Sequence, residues 1–499
     1  MIGSVLIANR GEIALRLVRG ARECGIRTIA VYSEADRLAP HVLEADEAYL
    51  IGPAPSAESY LRADALVELA LRVGAEAVHP GYGFMAERAD FARKVEEAGL
   101  IFVGPAPETI AAMGDKTEAR RRMEEAGVPI VPGLTEAVED PDAAQEAAET
   151  IGFPVLLKAS AGGGGKGMRD VSEPTELRRA VEAASREALA AFGDGSVYLE
   201  RYLARPRHVE IQVLGDAHGN VVHLAERECS IQRRHQKLVE EAPSPVLTSE
   251  ERARMGETAV RAAEAVDYRG AGTVEFLYQD GDFYFLEMNT RIQVEHPVTE
   301  LVTGIDLVEW QFRVASGEEL AFRQDDVELT GHSIECRITS EDHLGGFLPS
   351  TGTISHLEIP SGPGVRWDGG ILKGTEVTLH YDPLLAKLIV HAGSREAAIA
   401  RMARALDELV VAGVETCAPF HRRVMDEGDF QAGNLSIRYL DEHPELLEDD
   451  EPEEELLAAA LAAALLEDEH RRHRAPRIGE TTGEPVSPWR RAGMPGVTS

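Results

Sequence analysis

The stretch TVEFLYQDGDFYFLEMNTRIQVE, residues 273–295, contains a predicted β-hairpin. Apolar and polar residues alternate in its two halves, 273–278 and 282–289, which is typical of half-buried strands. The segment between them reads Gln-Asp-Gly-Asp, which is typical of a hairpin turn. Folding about this turn places Glu275 nearly opposite Glu287. The sequence therefore predicts a pair of facing carboxylates.

The second strand of this hairpin continues with further polar residues. If the chain stays extended, residues 287, 289, 291, 293 and 295 share one face, which reads Glu, Asn, Arg, Gln, Glu. Two carboxylates and an amide oxygen suit a hard divalent cation, Mg²⁺ or Mn²⁺, that bridges nucleotide phosphates. Arg291 is suited to hold a small oxyanion, and Glu295 to act as a base. The alternative is a solvated strand face, against which the neighbouring apolar residues and His-Pro argue.

A glycine loop precedes this hairpin in the chain. Residues 158–168 read KASAGGGGKGM and separate two predicted strands. Glycine weakens strands, but it lets backbone N–H groups approach a phosphate closely. Lys158 and Lys166 add positive charge, and they are two of only seven lysines. The segment lacks the Ser/Thr and the following helix of a P-loop, and a flexible surface loop is the alternative interpretation.

Charged residues alternate densely between these two motifs. Residues 226–241 read ERECSIQRRHQKLVEE, a pattern too charged for a predicted core element. Gln232, His235 and Lys237 are candidates to close over an anionic reaction centre. A salt-bridged surface segment is the alternative.

Near the start of the chain, strand and helix patterns alternate, which favours a parallel sheet covered by helices. The segment IANRGEIALR, residues 7–16, has one glycine where a dinucleotide fingerprint needs three, so it supports NAD binding only weakly. Residues 79–83, His-Pro-Gly-Tyr-Gly, form a second loop at a strand end. That loop is either functional or merely a turn.

Changes in pattern divide the chain into four segments. The predicted divisions are an N-terminal domain 1–113, a central domain 114–327, a mixed α+β C-terminal domain 328–440, and an acidic tail 441–499. Within the tail we expect an Ala/Leu helix followed by Gly/Pro-rich, partly disordered chain. The predicted fold class is α/β.

Composition narrows the possible functions. The 499 residues carry a net charge of −35, so a nucleic-acid partner is not expected. Low lysine with many acidic residues suggests salt adaptation or a GC-biased genome. Four cysteines without a C-x-x-C motif fit a reducing cytoplasm. The longest apolar run has eleven residues, 456–466, and the start lacks a basic leader segment, so neither a membrane span nor a signal peptide is expected.

Together these motifs resemble the biotin carboxylase component of biotin-dependent carboxylases, an ATP-grasp enzyme. The resemblance covers residues 1–440. It rests on residues 7–16, HPGYGF at 79–84, MGDK at 113–116, the glycine loop, ECSIQRRHQK at 228–237 and above all EMNTRIQVEHPVTE at 287–300. It implies a Rossmann-like N-terminal domain, an ATP-grasp domain with a mobile glycine-loop lid at about 131–203, and the C-terminal biotin carboxylase domain.

The resemblance also implies roles for individual residues. The ATP-contacting positions are Lys116, Lys158, Gly164, Gly165, His208, His235 and the hinge residues Glu200, Arg201, Tyr202 and Leu203. The metal ligands are Glu275, Glu287 and Asn289. The bicarbonate site contains Lys237, Arg291, Gln293 and Val294. Glu295 is the base for bicarbonate, Arg337 stabilises the biotin enolate, and Tyr82 lies beside the biotin pocket.

The implied reaction is the ATP- and bicarbonate-dependent carboxylation of biotin through carboxyphosphate. No lysine is followed by methionine, so we expect biotin on a separate carrier protein. A carboxyltransferase subunit would be the other partner, and the family is often homodimeric. The tail resembles the linker of acyl-CoA carboxylases, which makes these the first choice. A two-subunit pyruvate carboxylase, another ATP-grasp carboxylate ligase and a degenerate scaffold protein are the alternatives.

Overall fold

The computed structural model describes residues 1–133, 141–159, 169–192, 197–448 and 453–474. In its first region strands and helices alternate: β1 (Ser4–Ile7), α1 (Gly11–Glu23), β2 (Arg27–Ser33), α2 (Pro40–Glu44), β3 (Glu47–Gly52), α3 (Ala63–Arg72), β4 (Ala77–His79), α4 (Ala89–Glu97), β5 (Ile101–Phe102) and α5 (Pro107–Gly114). The five strands form one parallel sheet in the order β3-β2-β1-β4-β5. This doubly wound arrangement confirms the predicted Rossmann-like fold.

The central region begins with helices and a small sheet: α6 (Lys116–Glu125), α7 (Pro141–Ile151), β6 (Val155–Ala159), β7 (Arg169–Val171), α8 (Pro174–Phe192) and β8 (Val197–Arg201). The three strands pair antiparallel in the order β7-β6-β8. Val155 and Leu199 from this sheet pack with Leu177 and Val181 from α8 in a separate apolar cluster. This part corresponds to the predicted lid, and its glycine loop lies outside the described residues.

The rest of the central region supplies the strands of a larger sheet: β9 (Arg207–Gly215), β10 (Val221–Arg233), β11 (Gln236–Ala242), α9 (Ser249–Glu264), β12 (Gly270–Gln279), β13 (Asp282–Asn289), α10 (His296–Thr303) and α11 (Leu307–Ala315).

The C-terminal region is mixed, as predicted: β14 (His332–Thr339), β15 (Glu341–Asp342), β16 (Leu348–Pro349), β17 (Gly352–Thr353), β18 (His356–Glu358), β19 (Val365–Gly369), β20 (Glu376–Val377), β21 (Leu384–Ala392), α12 (Arg395–Glu408), β22 (Val410–Ala412), α13 (Ala418–Asp426), α14 (Gly428–Ala432) and α15 (Tyr439–Glu442).

One antiparallel sheet of eight strands joins the central and C-terminal regions, in the order β13-β12-β9-β10-β11-β14-β21-β19. Alternation along β9 sends Val209, Ile211 and Val213 to one face, where they pack on α9. At the other end of the sheet, Ile334 and Leu388 pack against α12 and α13 in a second core. On the remaining face, Leu214 and Ala271 pack in another apolar cluster, and the polar part of this face, around Glu210 and Glu275, carries the candidate site.

The chain separates into two compact units, 1–447 and 448–499. The second unit contains the predicted Ala/Leu helix, α16 (Glu453–Arg474), on which Leu457, Leu461 and Leu465 are exposed. Across the described ranges, every helix is too short or too polar to cross a bilayer.

Candidate active site

The polar face of the large sheet places four charged residues in one row. Glu287 is the register partner of Glu275, Glu275 of Glu210 on β9, and Glu210 of Arg227 on β10. The predicted pairing of Glu275 with Glu287 is thus confirmed. Asn289 lies one pleat further along β13, and its Nδ2 donates a hydrogen bond of 2.9 Å to Oε1 of Glu275.

The two facing carboxylates differ in their surroundings. The Glu287 side chain is exposed, but partial desolvation by its neighbours, and then the charge of Glu275, raise its pKa, which Lys116 lowers in part. Burial also raises the pKa of Glu275, but Lys237 and His208 outweigh it and hold that pKa well below its ordinary value. A divalent cation between the two would relieve their repulsion, and the oxygen donors are the type that Mg²⁺ and Mn²⁺ prefer. The described residues therefore fit the predicted metal site.

Lys237 on β11 connects three carboxylates. Its Nζ lies 2.5 Å from Glu210, 2.9 Å from Glu275 and 2.6 Å from Glu295. Burial lowers the pKa of the ammonium, but these carboxylates raise it well above the ordinary value. Lys237 is therefore a fixed positive charge that holds Glu210, Glu275 and Glu295 together.

Glu295 is held between two cations. Nη2 of Arg337 donates to its second carboxylate oxygen at 2.9 Å, and Lys237 contacts the first. Burial raises the pKa of Glu295, but Lys237 and Arg337 bring it below the ordinary value, so the group is ionised at neutral pH and can accept a proton. Nε of Arg337 also donates to Glu240, whose pKa burial raises to about 7.

The predicted strand face beyond residue 289 is wrong. β13 ends at Asn289, and residues 290–295 turn so that α10 begins at His296, with Pro297 in its first turn. Proline fits the first turn of a helix, and the chain must leave the strand direction to reach it. The turn still brings the predicted side chains together, because Nε2 of Gln293 donates to Glu275 at 2.9 Å and Arg291 donates to Asn289 at 2.9 Å.

Residues 226–241 also differ from the prediction, because they form the β10–β11 hairpin and are mostly buried. Arg227 is fully buried and donates to Glu210, Gln212, Thr273, Gln293 and Thr299 at 2.5–3.1 Å. A dense run of charges is compatible with a core when every charge has a partner. Gln232 donates to the Cys229 carbonyl instead of reaching the site, and His235 lies exposed at the hairpin tip with φ 69°.

The loop after β4 is held by its neighbours and is more than a simple turn. Nδ2 of Asn9 donates to the carbonyls of Pro80 (2.6 Å) and Tyr82 (2.7 Å). The hydroxyl of the half-buried Tyr82 donates to the buried Glu12, and Arg337 and Lys387 of the C-terminal region are among the charges that act on these two groups. These contacts hold Tyr82 of the N-terminal region close enough for the charge of Arg337 to act on it.

Comparison with known proteins matches this architecture region by region. The family models that match are biotin carboxylase, N-terminal domain (residues 1–110), carbamoyl-phosphate synthase L chain, ATP binding domain (115–323), and biotin carboxylase C-terminal domain (335–442). A pyruvate carboxylase subunit of Methanothermobacter thermautotrophicus is 55% identical over 89% of this chain and 90% of its own length. Biotin carboxylase of Haemophilus influenzae is 52% identical over 89% of this chain and 99% of its own length.

The chain belongs to the biotin carboxylase family. Members of this family are ATP-dependent ligases. A solved relative is the biotin carboxylase domain dimer of 2-oxoglutarate carboxylase from Hydrogenobacter thermophilus, in complex with MgADP, ADP and bicarbonate. It is 51% identical, covers 90% of this chain and all of its own, and superimposes with a TM-score of 0.82.

Of the positions expected to contact ATP, only some lie near the row of carboxylates. Lys116 is exposed at the start of α6, and its charge acts on Glu287. Burial lowers the pKa of His208, but the carboxylates of Glu275, at 3.2 Å, and Glu210, at 3.5 Å, together raise it to about 9. The backbone of Lys158 lies in β6, while Gly164 and Gly165 lie outside the described residues.

The hinge positions lie at the end of β8 and directly after it, and backbone contacts hold them. The Arg201 N–H donates to the Pro132 carbonyl at 2.7 Å, and the Tyr202 N–H donates to the Pro154 carbonyl at 2.9 Å. Glu200 pairs with Arg120 at 3.1 Å, and Leu203 is half-buried. These contacts set the position where the small sheet joins the large one.

Sequence reasoning missed four residues of the site: Glu87, Glu210, Arg227 and Glu240. Glu210 had a visible signal, because residues 208–213, HVEIQV, alternate polar and apolar as the predicted hairpin does. Glu87 pairs with Arg291 at 3.0 Å across two regions, and local sequence carries no signal for such a contact.

Proposed function

We propose that this chain carboxylates biotin on a separate carrier protein, using ATP and bicarbonate, through carboxyphosphate. One observation carries the proposal: the ionised Glu295 lies between Lys237 and Arg337, directly beside the Glu275–Glu287 pair. A base, two cations and a metal-type carboxylate pair in one site are the groups that this reaction needs. The biotin carboxylase relatives support it.

In the proposed first step, bicarbonate binds at Lys237, Arg291, Gln293 and Val294. Glu295 takes the bicarbonate proton, because bicarbonate is a poor nucleophile while protonated. Arg291 stabilises the charge that develops, and the bicarbonate oxygen attacks the γ-phosphorus of ATP with departure of ADP.

ATP is proposed to bind between the small and the large sheet. Lys116, His208 and Lys158 supply positive charge to its phosphates, and residues 200–203 meet the adenine. Glu275, Glu287 and Asn289 would hold Mg²⁺ or Mn²⁺, which neutralises phosphate oxygens when bound. The solved relative in complex with MgADP supports this assignment.

Biotin is proposed to bind near Tyr82 and Arg337. Carboxyphosphate breaks down to CO₂ and phosphate, phosphate takes the ureido N–H proton, and Arg337 stabilises the resulting enolate. The ureido nitrogen then forms a bond to the carbon of CO₂, which gives carboxybiotin. Glu240, 2.5 Å from Arg337, orients this guanidinium. Exclusion of water during this step is assigned to closure of residues 131–203.

The proposed partners are a biotin carboxyl carrier protein and a carboxyltransferase subunit, and the proposed assembly is a homodimer. The final acceptor is proposed to be an acyl-CoA, as the tail suggests. Pyruvate is the second candidate, favoured by 55% identity to a subunit of pyruvate carboxylase. The proposed location is the cytoplasm, in keeping with four free cysteines.

The deciding experiment measures ATP cleavage with and without bicarbonate, and carboxylation of free biotin, by the purified chain. We expect bicarbonate-dependent cleavage, weak carboxylation of free biotin, and a higher rate with a biotinylated carrier, because a docked carrier raises the effective concentration. Glu295→Gln should abolish the bicarbonate dependence, whereas the exposed Glu264→Gln on α9 should not. The proposal would be contradicted if the rate of ATP cleavage did not depend on bicarbonate. A covalent biotin signal on this chain in a streptavidin blot would contradict it as well.

A further inference from the structure

A fully buried lysine of the C-terminal region contacts both other regions. Lys387 lies in the middle of β21. Its Nζ donates a hydrogen bond of 2.9 Å to the carbonyl of Val294 and lies 3.2 Å from Oε2 of Glu12 in the first turn of α1. A buried ammonium is unfavourable unless it is paired and hydrogen-bonded, so these contacts account for its burial.

The same lysine lies beside both side chains assigned to biotin. Lys387 is the register partner of Arg337 on β14. Glu12, its ion-pair partner, accepts the hydrogen bond from the Tyr82 hydroxyl. Lys387 therefore connects residues 290–295, the proposed bicarbonate loop, with Tyr82 and Arg337, the proposed biotin pocket.

Backbone packing holds the start of α1 at this place. A Cβ atom on Gly370, just after β19, would lie 2.7 Å from the backbone nitrogen of Glu12. Such an approach is possible only with glycine. Because β19 pairs with β21, this close backbone approach places Glu12 beside β21, where its side chain meets Lys387.

We propose that Lys387 and Glu12 are positioning residues that hold the bicarbonate loop and Tyr82 in a fixed relation. The inference rests on the proposed assignment of Val294 and Glu295. Because the peptide group is planar, a held Val294 carbonyl also fixes the Val294–Glu295 peptide from which the catalytic base extends. Glu12 holds Tyr82 by accepting the hydrogen bond of its hydroxyl.

The first test is Lys387→Met, which removes the ammonium and keeps the apolar stem. We expect the KM for bicarbonate to rise at least about ten-fold, since small misplacements in an active site cost up to about 10²-fold. The KM for free biotin should also rise, while the KM for ATP stays within about two-fold. Lys373→Met, at an exposed position of the same region, is the matched control and should leave all three constants unchanged.

The second test is Glu12→Gln, which keeps the volume and also serves if Lys387→Met does not fold. It should raise the KM for biotin more than that for bicarbonate. Combined with Lys387→Met, it should change the constants by less than the product of the single effects, because the two residues share one pair. Multiplicative effects, or equal increases of all three KM values, would overturn the positioning role.

The outcomes also separate this inference from the proposed function. If Glu295→Gln abolishes bicarbonate-dependent ATP cleavage but Lys387→Met behaves like Lys373→Met, only the positioning inference fails. If Glu295→Gln leaves the bicarbonate dependence unchanged, the assignment of the loop itself is wrong, and the inference fails with it.

Discussion

At the scale of single residues, the charged side chains of the site contact groups of opposite charge and remain ionised. Lys237 contacts three carboxylates, and Glu295 contacts two cations. Each group keeps its ionised form, because burial is outweighed by an opposite charge. Substituting one member therefore changes the protonation of its neighbours as well as removing a contact.

The carboxylate pair gives the first prediction. Glu287→Gln removes one negative oxygen ligand, so MgATP turnover should be abolished while the fold remains. Turnover assays with circular dichroism as the fold check measure this, and the exposed Glu264→Gln is the matched control. Undiminished turnover in Glu287→Gln would rule out the metal assignment.

Arg337 gives the second prediction. Arg337→Ala should spare ATP binding and lower biotin carboxylation by about 10²–10³, which is typical for loss of one charged stabiliser of a developing anion. Nucleotide affinity and carboxylation rate are measured separately. If both fall equally, Arg337 has a structural role through Glu240 and Glu295 instead.

At the scale of elements, the sequence pattern predicted those strands and turns whose stabilising contacts lie close together in the chain. A β-bulge between Glu275 and Phe276 shifts the β12–β13 register by one residue, so that Glu287 and not Leu286 is the partner of Glu275. The Gln-Asp-Gly-Asp turn alone does not set this shift, but the approximate pairing of Glu275 with Glu287 was predictable from 23 residues of sequence. The β10–β11 hairpin was not, because Arg227 is stabilised by partners on β9 and β12 and near α10, which are distant in the chain. The turn at residues 290–295 was missed for a related reason: its shape follows from where α10 packs.

Arg227 gives a prediction at this scale, since it connects three strands and the loop before α10. Arg227→Met should lower the free energy of unfolding by about 3–5 kcal/mol, because Glu210 keeps a buried charge without its main partner. Arg227→Met combined with Glu210→Gln should recover part of this loss. Urea denaturation measures both, with the exposed Arg404→Met as the control. A loss below about 1 kcal/mol would show that Arg227 is not structurally important.

At the scale of the whole molecule, charge is the dominant property. The net charge is −35, so the acidic side chains repel one another at low ionic strength. Molar salt shortens the screening length to about 3 Å and weakens this repulsion. The melting temperature should therefore rise from dilute to molar KCl, and a glycerol series of equal osmolality should not reproduce the whole increase. An unchanged melting temperature would contradict salt adaptation.

The eight-stranded sheet has a consequence for how such a protein can be inherited. β11 pairs with β14 from Val239–Cys336 to Ala242–Ser333, so the central and C-terminal regions complete each other's hydrogen bonds. A gene recombined between these strands would encode two halves, each with an open strand edge that favours aggregation. We therefore expect gene fusions and domain exchanges among relatives to keep residues 207–392 together.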